Sequence, residues 1–434
     1  MNLIWKLSLR NLLRNRRRSL TTGIAIAAGF IGLSLLGAYI FRVQKALEVS
    51  VVFINMNGHL QIHKTDSLER FSIAPKKYLI EQDLEEGMQA ALAPFQNEIE
   101  FESRFLTGSG LLVLDKTAQP FLAQSFDRSI YFKAIRHPTV LKWAKSWVRE
   151  GDMNLSPEVL ARRELISITP RIAQILGHDP QLKDLSEENK NVQLVTRSLH
   201  NDLNAVNAEL GLLHSTGMAM AEDSSVRMPL SLLQELMATE GYQYKALFLK
   251  DSGRAQGLRQ KLQGEFDRQG LPLRVYHFTQ EGIGDFYTGS LNFLYVMAGF
   301  FVILICGMVA LSIVNSLTLG ILERAKELGT LKALGFSTEQ IVALFVRETV
   351  WLSLFSLSAA FVVSQIVASL VNSANIRFSP PGVEGDLQFA LAPELSLYVG
   401  LAVVLFGIAA LTAYSVSGRK LKASAIELLS DAGV

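Results

Sequence analysis

Residues 286–322 have the sequence FYTGSLNFLYVMAGFFVILICGMVALSIVNSLTLGIL, which is 37 residues without an Asp, Glu, Lys or Arg. About 20 apolar residues in a helix are enough to cross the hydrocarbon core of a bilayer. This stretch is nearly twice that length. It therefore predicts a spanning helix over about Leu291–Leu317, with helical extensions beyond one or both faces of the membrane.

Three other stretches of the chain are also free of charge. They are the 23 residues between Arg18 and Arg42, the 28 between Glu348 and Arg377, and the 24 between Glu394 and Arg419. The whole chain is 49% hydrophobic and 19% charged, whereas soluble domains carry about 25% charged residues. The sequence thus predicts a membrane protein with four transmembrane α-helices and a large mixed α/β external (periplasmic) domain between spans 1 and 2.

Lys and Arg in the short segments predict the orientation of the chain, because they are retained on the cytoplasmic side. Thirteen basic residues lie in the first 19 residues, in the loop between spans 2 and 3, and in the tail, against Arg377 alone in the remaining short loop. We therefore expect cytoplasmic N- and C-termini in a bacterial inner (cytoplasmic) membrane. The 243 residues from Val43 to Asp285 would lie outside, in the periplasm of a Gram-negative cell.

These patterns divide the chain into nine predicted segments. They are a cytoplasmic interfacial helix (1–18), span 1 (19–42), a periplasmic domain of two subdomains (43–285), an extended span 2 (286–322), a cytoplasmic loop with a short helix (323–345), span 3 (346–371), a short periplasmic loop (372–393), span 4 (394–418) and a cytoplasmic tail (419–434).

The first 18 residues predict a helix that lies in the cytoplasmic headgroup layer. Basic residues recur every four positions on one face, opposite Trp5, Leu9 and Leu12, a pattern typical of helices on anionic lipid. A plain basic flank that only sets topology is compatible with the same pattern, and a cleaved signal peptide is disfavoured by the long apolar stretch. The predicted membrane-surface residues are Lys6, Arg10, Arg14, Arg16, Arg17 and Arg18.

The sequence of the external domain contains short stretches with the alternation of strands or the periodicity of helices. Gly58–His63 alternates like a half-buried strand. The patterns predict strands over 58–63, 99–105, 111–114, 121–125, 192–196, 246–249 and 273–278, helices over 77–93, 157–164, 171–176 and 252–269, and a solvated turn over 183–190.

No arrangement of residues predicts catalysis, a cofactor or a metal site in this chain. The phosphate-binding motif G-x-x-x-x-G-K-[ST] does not occur, so we expect no nucleotide hydrolysis by this chain itself. His59 and His63 are four residues apart on a strand, without an evident third metal ligand. The net charge of +2 excludes a strongly basic nucleic-acid binder, and we expect no nucleic-acid partner.

The loop between spans 2 and 3 contains a short amphipathic helix that ends at Gly335. Ser337 and Gln340 are spaced as a capping box for the next helix. Such a charged helix, held against the cytoplasmic face, suits the docking of a soluble partner. The alternative is that it only reverses the direction of the chain.

This loop resembles the FtsX-like (MacB/LolCDE-type) permeases of ABC transporters. Residues 323–335 match their pattern E-R-x-x-E-[IL]-G-x-[LM]-[KR]-A-[LI]-G. Leu9–Arg18 is similar to the basic N-terminal segment of these proteins. One span, a large external domain and three further spans are also the family layout. The resemblance assigns ATPase coupling to Glu323, Arg324, Glu327, Leu328, Gly329, Lys332, Ala333 and Gly335.

The resemblance implies a permease subunit that works with a separate cytoplasmic ABC ATPase and a second permease subunit, identical or related. ATP-driven closure of the ATPase would be relayed through the extended second helix to the external domain, which the family calls mechanotransmission. The implied work is extraction or translocation of lipoprotein or lipid, with a periplasmic carrier or adaptor protein as a further partner. MacB-like export of peptides or drugs, and a membrane sensor or scaffold without transport, are the alternatives.

Overall fold

A computed structural model describes residues 8, 10–12, 14, 16–148, 162, 164–178, 191–216, 219–378 and 387–421. The chain forms two compact units. The membrane unit comprises Met1–Val43, Leu291–Ile376 and Phe389–Val434, and the external unit comprises Gln44–Ser290 and Arg377–Gln388.

The helices of the described residues are numbered in chain order. They are α1 Arg16–Val49, α2 Ser67–Arg70, α3 Gln82–Leu92, α4 Arg128–Ile135, α5 Pro138–Trp143, α6 Pro170–Ile175, α7 Ala219–Glu222, α8 Leu230–Met237, α9 Ala255–Arg268, α10 Asp285–Glu323, α11 Ala325–Ala333, α12 Thr338–Ser373 and α13 Leu395–Lys420; a π-helical turn, Ser50–Ile54, follows α1.

The strands are numbered in the same way. They are β1 Leu60–Lys64, β2 Ile99–Phe105, β3 Thr107–Leu114, β4 Thr117–Ser125, β5 Leu165–Ile168, β6 Asn191–Arg197, β7 Leu203–Leu213, β8 Ser225–Met228, β9 Tyr244–Leu249, β10 Leu273–His277, β11 Arg377–Phe378 and β12 Leu387–Gln388.

Within the described residues, the four helices α1, α10, α12 and α13 are long and apolar enough to cross a membrane, which confirms the predicted number. α10 is the longest, with 39 residues, or about 58 Å at 1.5 Å per residue. On α10, Phe293, Val296, Phe300 and Ile303 are between 58% and 76% exposed. A surface this apolar requires lipid or another protein against it.

Small residues bring the membrane helices close together. A Cβ atom added to Gly29 would lie 2.9 Å from Cγ2 of Val309, and one added to Gly37 would lie 2.6 Å from Cδ2 of Leu397. Glycines at helix contacts allow this close backbone approach in membrane proteins. The core of the membrane unit is apolar and includes Ile26, Phe30, Ile313, Phe345, Leu405 and Ala409.

Two separate apolar cores are found among the described residues of the external unit. One fills a closed barrel with the strand order β3-β4-β8-β5-β7-β6. The other lies between a four-stranded sheet, ordered β10-β1-β9-β2, and the helices α3 and α9. The alternation of the barrel strands follows from this arrangement, because one face of each strand is turned to the barrel interior.

Most of the strands predicted for the external unit are present within a few residues of the expected bounds. β1 is buried along nearly its whole length, so the prediction of a half-buried strand is wrong. β1 pairs with β10 on one side and β9 on the other, and its polar side chains Gln61 and His63 are also covered. The helix predicted over 157–164 and the turn over 183–190 lie outside the described residues, apart from Arg162 and Glu164.

The helix predicted over 77–93 begins later, at Gln82. The preceding residues form the 3₁₀ turn Pro75–Tyr78. Ile80 then pairs with Tyr242 in a β-bridge, in which each backbone N–H donates to the other's carbonyl at 2.8 and 3.1 Å. A residue held in an extended bridge cannot also be in a helix, which explains the later start.

Candidate functional site

α11 is a nine-residue helix between the spanning helices α10 and α12. Arg324, at φ −108° and ψ 15°, is not helical and separates α11 from α10. At the other end Gly335 has φ +90°, a conformation that glycine adopts without steric cost. Ser337 and Gln340 then form the predicted capping box of α12, so that prediction is confirmed.

The two faces of α11 have different environments. Ala325, Leu328 and Gly329 are buried in the membrane unit, and Leu328 belongs to its apolar core. The turn that follows α11 is exposed: Leu334 is 73% and Phe336 40% accessible. The buried face fixes α11 against the other helices, while the turn presents apolar side chains outward.

Arg324 fastens the start of α11 to α12. Its side chain is 8% exposed and pairs with the carboxylate of Glu348, whose Oε1 accepts from NH1 at 3.1 Å. Its Nε donates to Oε2 of Glu327 at 3.2 Å, and its guanidinium lies 5.6 Å from the centre of the Phe345 ring. A buried guanidinium is tolerated only with such partners, so Arg324 has an internal structural role.

The N-terminal segment contacts the same cluster. Asn11 donates from Nδ2 to Oε1 of Glu348 at 2.8 Å, and Arg14 donates from NH2 to Oε1 of Glu327 at 2.7 Å. Burial raises the pKa of the Glu327 carboxyl, but hydrogen bonds from Arg324 and Arg14 outweigh burial and hold this pKa below its usual range. Glu327 is therefore ionised at neutral pH and joins the N-terminal segment to α11.

Arg18 makes a third link between α1 and the end of α10. Its NH1 lies 3.6 Å from Oε2 of Glu323. The guanidinium lies over Gly320, where an added Cβ would come within 2.7 Å of three of its atoms. A glycine at this position therefore leaves the space that the Arg18 side chain occupies.

The structure divides the eight predicted coupling residues into two groups. Arg324, Leu328 and Gly329 are buried, and Lys332 is half-buried and donates from Nζ to the carbonyl of Leu421 at 2.8 Å. The exposed members are Glu323, Glu327, Ala333 and Gly335. Half of the motif therefore holds the loop in place, and the other half is available on its surface.

The six predicted membrane-surface residues are placed less uniformly. Arg10 is exposed, whereas Arg14 and Arg18 face carboxylates of the same chain. Lys6 and the side chains of Arg16 and Arg17 lie outside the described part of the structure.

Sequence reasoning gave no individual role to four residues of this site. Glu348 and Asn11 complete the ion-pair cluster, and Leu334 and Phe336 form the exposed turn. A signal for Glu348 was present, since it is the charged residue at the edge of the third apolar stretch. Only the fold shows that it faces Arg324.

The two histidines at metal-ligand spacing have other partners. Nδ1 of His59 accepts from the backbone N–H of Leu249 at 3.0 Å. His63 contacts Oε1 of Gln61 through Nε2 at 2.9 Å and stacks on the Tyr244 ring. Within the described ranges no three His, Cys, Asp or Glu side chains are placed to share a metal ion.

The membrane part of the chain is similar to a known family. Residues 298–423 match the family model described as FtsX-like permease C-terminal. These residues are similar to the C-terminal domain of FtsX-like permeases. The match covers α11, most of α10, and all of α12 and α13, and thus includes the candidate site. It agrees with the resemblance noted from the loop motif.

Two curated relatives are ABC transporter permeases by name. An uncharacterised permease of Methanocaldococcus jannaschii, MJ1507, is 23% identical over 223 residues, which are 51% of this chain and 54% of that protein. The permease YtrF of Bacillus subtilis is 30% identical over 101 residues, 23% of each protein. The chain thus spans about half the length of the first relative and less of the second.

Two solved structures share weak similarity with half of the chain. They are the extracellular domain of the ABC-type transporter YknZ from Gram-positive bacteria, at 13% identity and a TM-score of 0.32, and the periplasmic region of MacB from Actinobacillus actinomycetemcomitans, at 9% identity and 0.32. Each match covers 50% of this chain, with 99% and 87% of the respective structures. Scores this low support no inference about function.

Proposed function

We propose that this chain is the permease subunit of an ABC transporter, and that it couples ATP hydrolysis by a separate cytoplasmic ATPase to work on the external side. The observation that carries the proposal is α11, a short charged helix with an exposed apolar turn, inside the segment that matches the permease family. ATP and Mg would be bound by the partner.

The ATPase would dock on the exposed side of α11 and on the turn after it. Leu334 and Phe336 are apolar side chains at the tip of a rigid loop, and such anchors contribute most of the binding energy in protein interfaces. Arg324, Leu328 and Lys332 support this surface from inside, because each of them contacts the membrane unit.

The docking proposal is tested with Leu334→Asp. The tagged full-length chain is purified from native membranes after mild crosslinking, and co-purified proteins are identified. We expect wild type to retain a cytoplasmic ATPase and the variant to lose most of it, while the amount of inserted chain is unchanged. Leu203→Asp is the matched control, since Leu203 is 82% exposed in the external unit. Absence of an ATPase from wild type would favour a sensor or scaffold.

Mechanotransmission is the proposed mode of coupling. α10 is one continuous helix from Asp285 to Glu323, and a single residue separates its end from α11. A continuous helix transmits a displacement along its axis, because its backbone hydrogen bonds resist compression and bending. A movement of α11 would therefore reach the residues where α10 begins, in the external unit.

We propose lipoprotein or lipid as the substrate and a second permease subunit, a copy of this chain or a relative, as a partner in a bacterial inner membrane. The apolar outward face of α10 suits contact with lipid or with that subunit. Depletion of the chain in a Gram-negative host should then leave lipoproteins in the inner membrane. Unchanged lipoprotein sorting together with increased sensitivity to peptides or drugs would instead favour MacB-like export.

A further inference from the structure

The external unit contains a cavity of about 220 Å³. Its wall includes Leu47 in the last turn of α1 and Val51 in the π-helical turn that follows. It also includes Phe286 and Tyr287 in the first turn of α10. The volume is well above that needed for one water molecule but below the range typical of drug-sized ligands. It suits a headgroup or a short chain.

One charged side chain is found among the described residues that line this cavity, the guanidinium of Arg227. Arg227 is 4% exposed. Its NH2 donates to the carbonyl of Ile54 at 3.2 Å and to Oδ1 of Asn55 at 3.4 Å, and the guanidinium lies 5.4 Å from the centre of the Tyr131 ring. NH1 is buried, and none of the residues that the structure describes forms a hydrogen bond with it.

A buried guanidinium without a carboxylate partner is unfavourable, because neither its charge nor all of its donors are compensated. In the described part of the chain no Asp or Glu oxygen forms an ion pair with Arg227. The buried carboxylate of Glu222 is hydrogen-bonded instead to Ser215 and Thr216. An oxyanion in the cavity would supply what Arg227 lacks.

The remaining wall of the cavity is apolar or uncharged. Trp147, Val51 and Phe286 provide apolar contact surface, and Asn57 and Ser225 provide uncharged polar groups. The residues of α1 that line the cavity begin five positions after Arg42, the charge that ends the first apolar stretch, or about 8 Å farther along a helix. The cavity is therefore lined by the segments that follow the first apolar stretch and precede the second in the sequence.

We infer that this cavity binds an oxyanion, a phosphate or a carboxylate, that is attached to an apolar chain. Arg227 would bind the oxyanion with its guanidinium, since charge-assisted hydrogen bonds to guanidinium are strong, and the aromatic wall would contact the chain. The inference rests on the proposed function in one respect, because it treats this ligand as a substrate of the transporter. It names anionic amphiphiles as the substrate class.

The test is calorimetric titration of the full-length chain in nanodiscs of uncharged lipid, without ATPase or nucleotide. The probes are hexyl phosphate, hexanoate, inorganic phosphate and 1-hexanol. We expect hexyl phosphate or hexanoate to bind, and the stronger of the two identifies the oxyanion. Binding of inorganic phosphate or of 1-hexanol with equal affinity would overturn the inference.

Two variants locate the binding site. Arg227→Gln should weaken binding by about tenfold or more, and Ala221→Phe should block it by filling the cavity while leaving Arg227 in place. The control is Arg171→Gln, which removes an exposed arginine of the same unit that pairs with Asp223. Wild-type affinity in both cavity variants would overturn the inference. Failure to recover an ATPase would contradict the proposed function alone, because this titration does not involve one.

Discussion

At the scale of single residues, the external unit buries histidines that cannot be protonated without cost. His63 is 2% exposed and stacked on Tyr244 with ring centres 4.9 Å apart. Burial lowers the pKa of His63 from 6.5 to about 3. Burial, and then the neighbouring His277 and His137, lower the pKa of His59 to about 4. Both imidazoles are therefore neutral in the folded protein at physiological pH.

These shifts predict that the external unit loses stability as the pH falls below 6.5. The unfolded chain then binds protons that the folded chain does not, so the free energy of unfolding decreases until the folded pKa values of about 4 and about 3 are reached. Each pH unit across this window costs about 1.4 kcal/mol per histidine. Hydrogen exchange of β1 in the detergent-solubilised chain, between pH 7.5 and 5, measures the loss.

His63→Phe separates this effect from general acid denaturation. The phenyl ring retains the apolar stacking on Tyr244 but cannot be protonated. The quantity to compare between variant and wild type is the pH dependence of stability, not the absolute stability. We expect a shallower pH dependence for the variant, and an unchanged one for His200→Gln, which alters an exposed histidine. An identical slope in His63→Phe and wild type would mean that His63 is not the titrating group.

At the scale of secondary-structure elements, the salt bridge between Arg14 and Glu327 connects the N-terminal segment to α11. Both side chains are about half exposed, at 56% and 50%, and exposed ion pairs contribute less than about 1 kcal/mol. Breaking the pair should leave the fold intact. Its expected role is to hold α11 in position for docking.

A charge swap tests this role. We expect Glu327→Arg alone to reduce ATPase recovery severalfold, because it removes the pair and adds a positive charge beside Arg324. The double variant Arg14→Glu with Glu327→Arg reverses the pair and should restore most of the recovery. A double variant as defective as the single one would show that Glu327 acts through the ATPase itself.

Secondary-structure elements with a strong local sequence pattern could be predicted from the sequence. Elements that form only because they pair with other strands of the fold could not. Long charge-free stretches predicted α1, α10, α12 and α13, since a bilayer demands length and apolarity in one segment. β7, Leu203–Leu213, was not predicted, because its buried positions include the small residue Ala208 and its alternation is correspondingly weak. Its place in the barrel depends on pairing with β6 and β5.

The candidate site shows the same division. The motif from Glu323 to Gly335 could be found from its resemblance to a known family, and the capping box at Ser337 could be found from spacing. The burial of Arg324 and Leu328, the link from Asn11 to Glu348 over 337 positions, and the cavity at Arg227 depend on tertiary contacts. A linear pattern contains no information about such distant neighbours.

At the scale of the whole molecule, the proposed function requires α10 to transmit force without bending. Gly299 lies within α10 and a Cβ added there meets no atom within 4 Å, so alanine should fit at this position. Proline would remove the hydrogen bond to the carbonyl of Tyr295 and kink the helix. Transmembrane helices tolerate proline, so insertion of the chain should continue.

Gly299→Pro should therefore separate ATP hydrolysis from external work. With the partner ATPase in proteoliposomes, we expect the variant to bind the ATPase and hydrolyse ATP, but to release far less lipoprotein per ATP than wild type. Gly299→Ala is the matched control and should match wild type, because alanine keeps α10 helical. Release by Gly299→Pro at the wild-type ratio would show that a straight α10 is unnecessary, and the route from α11 to the external unit would have to run through α1 instead.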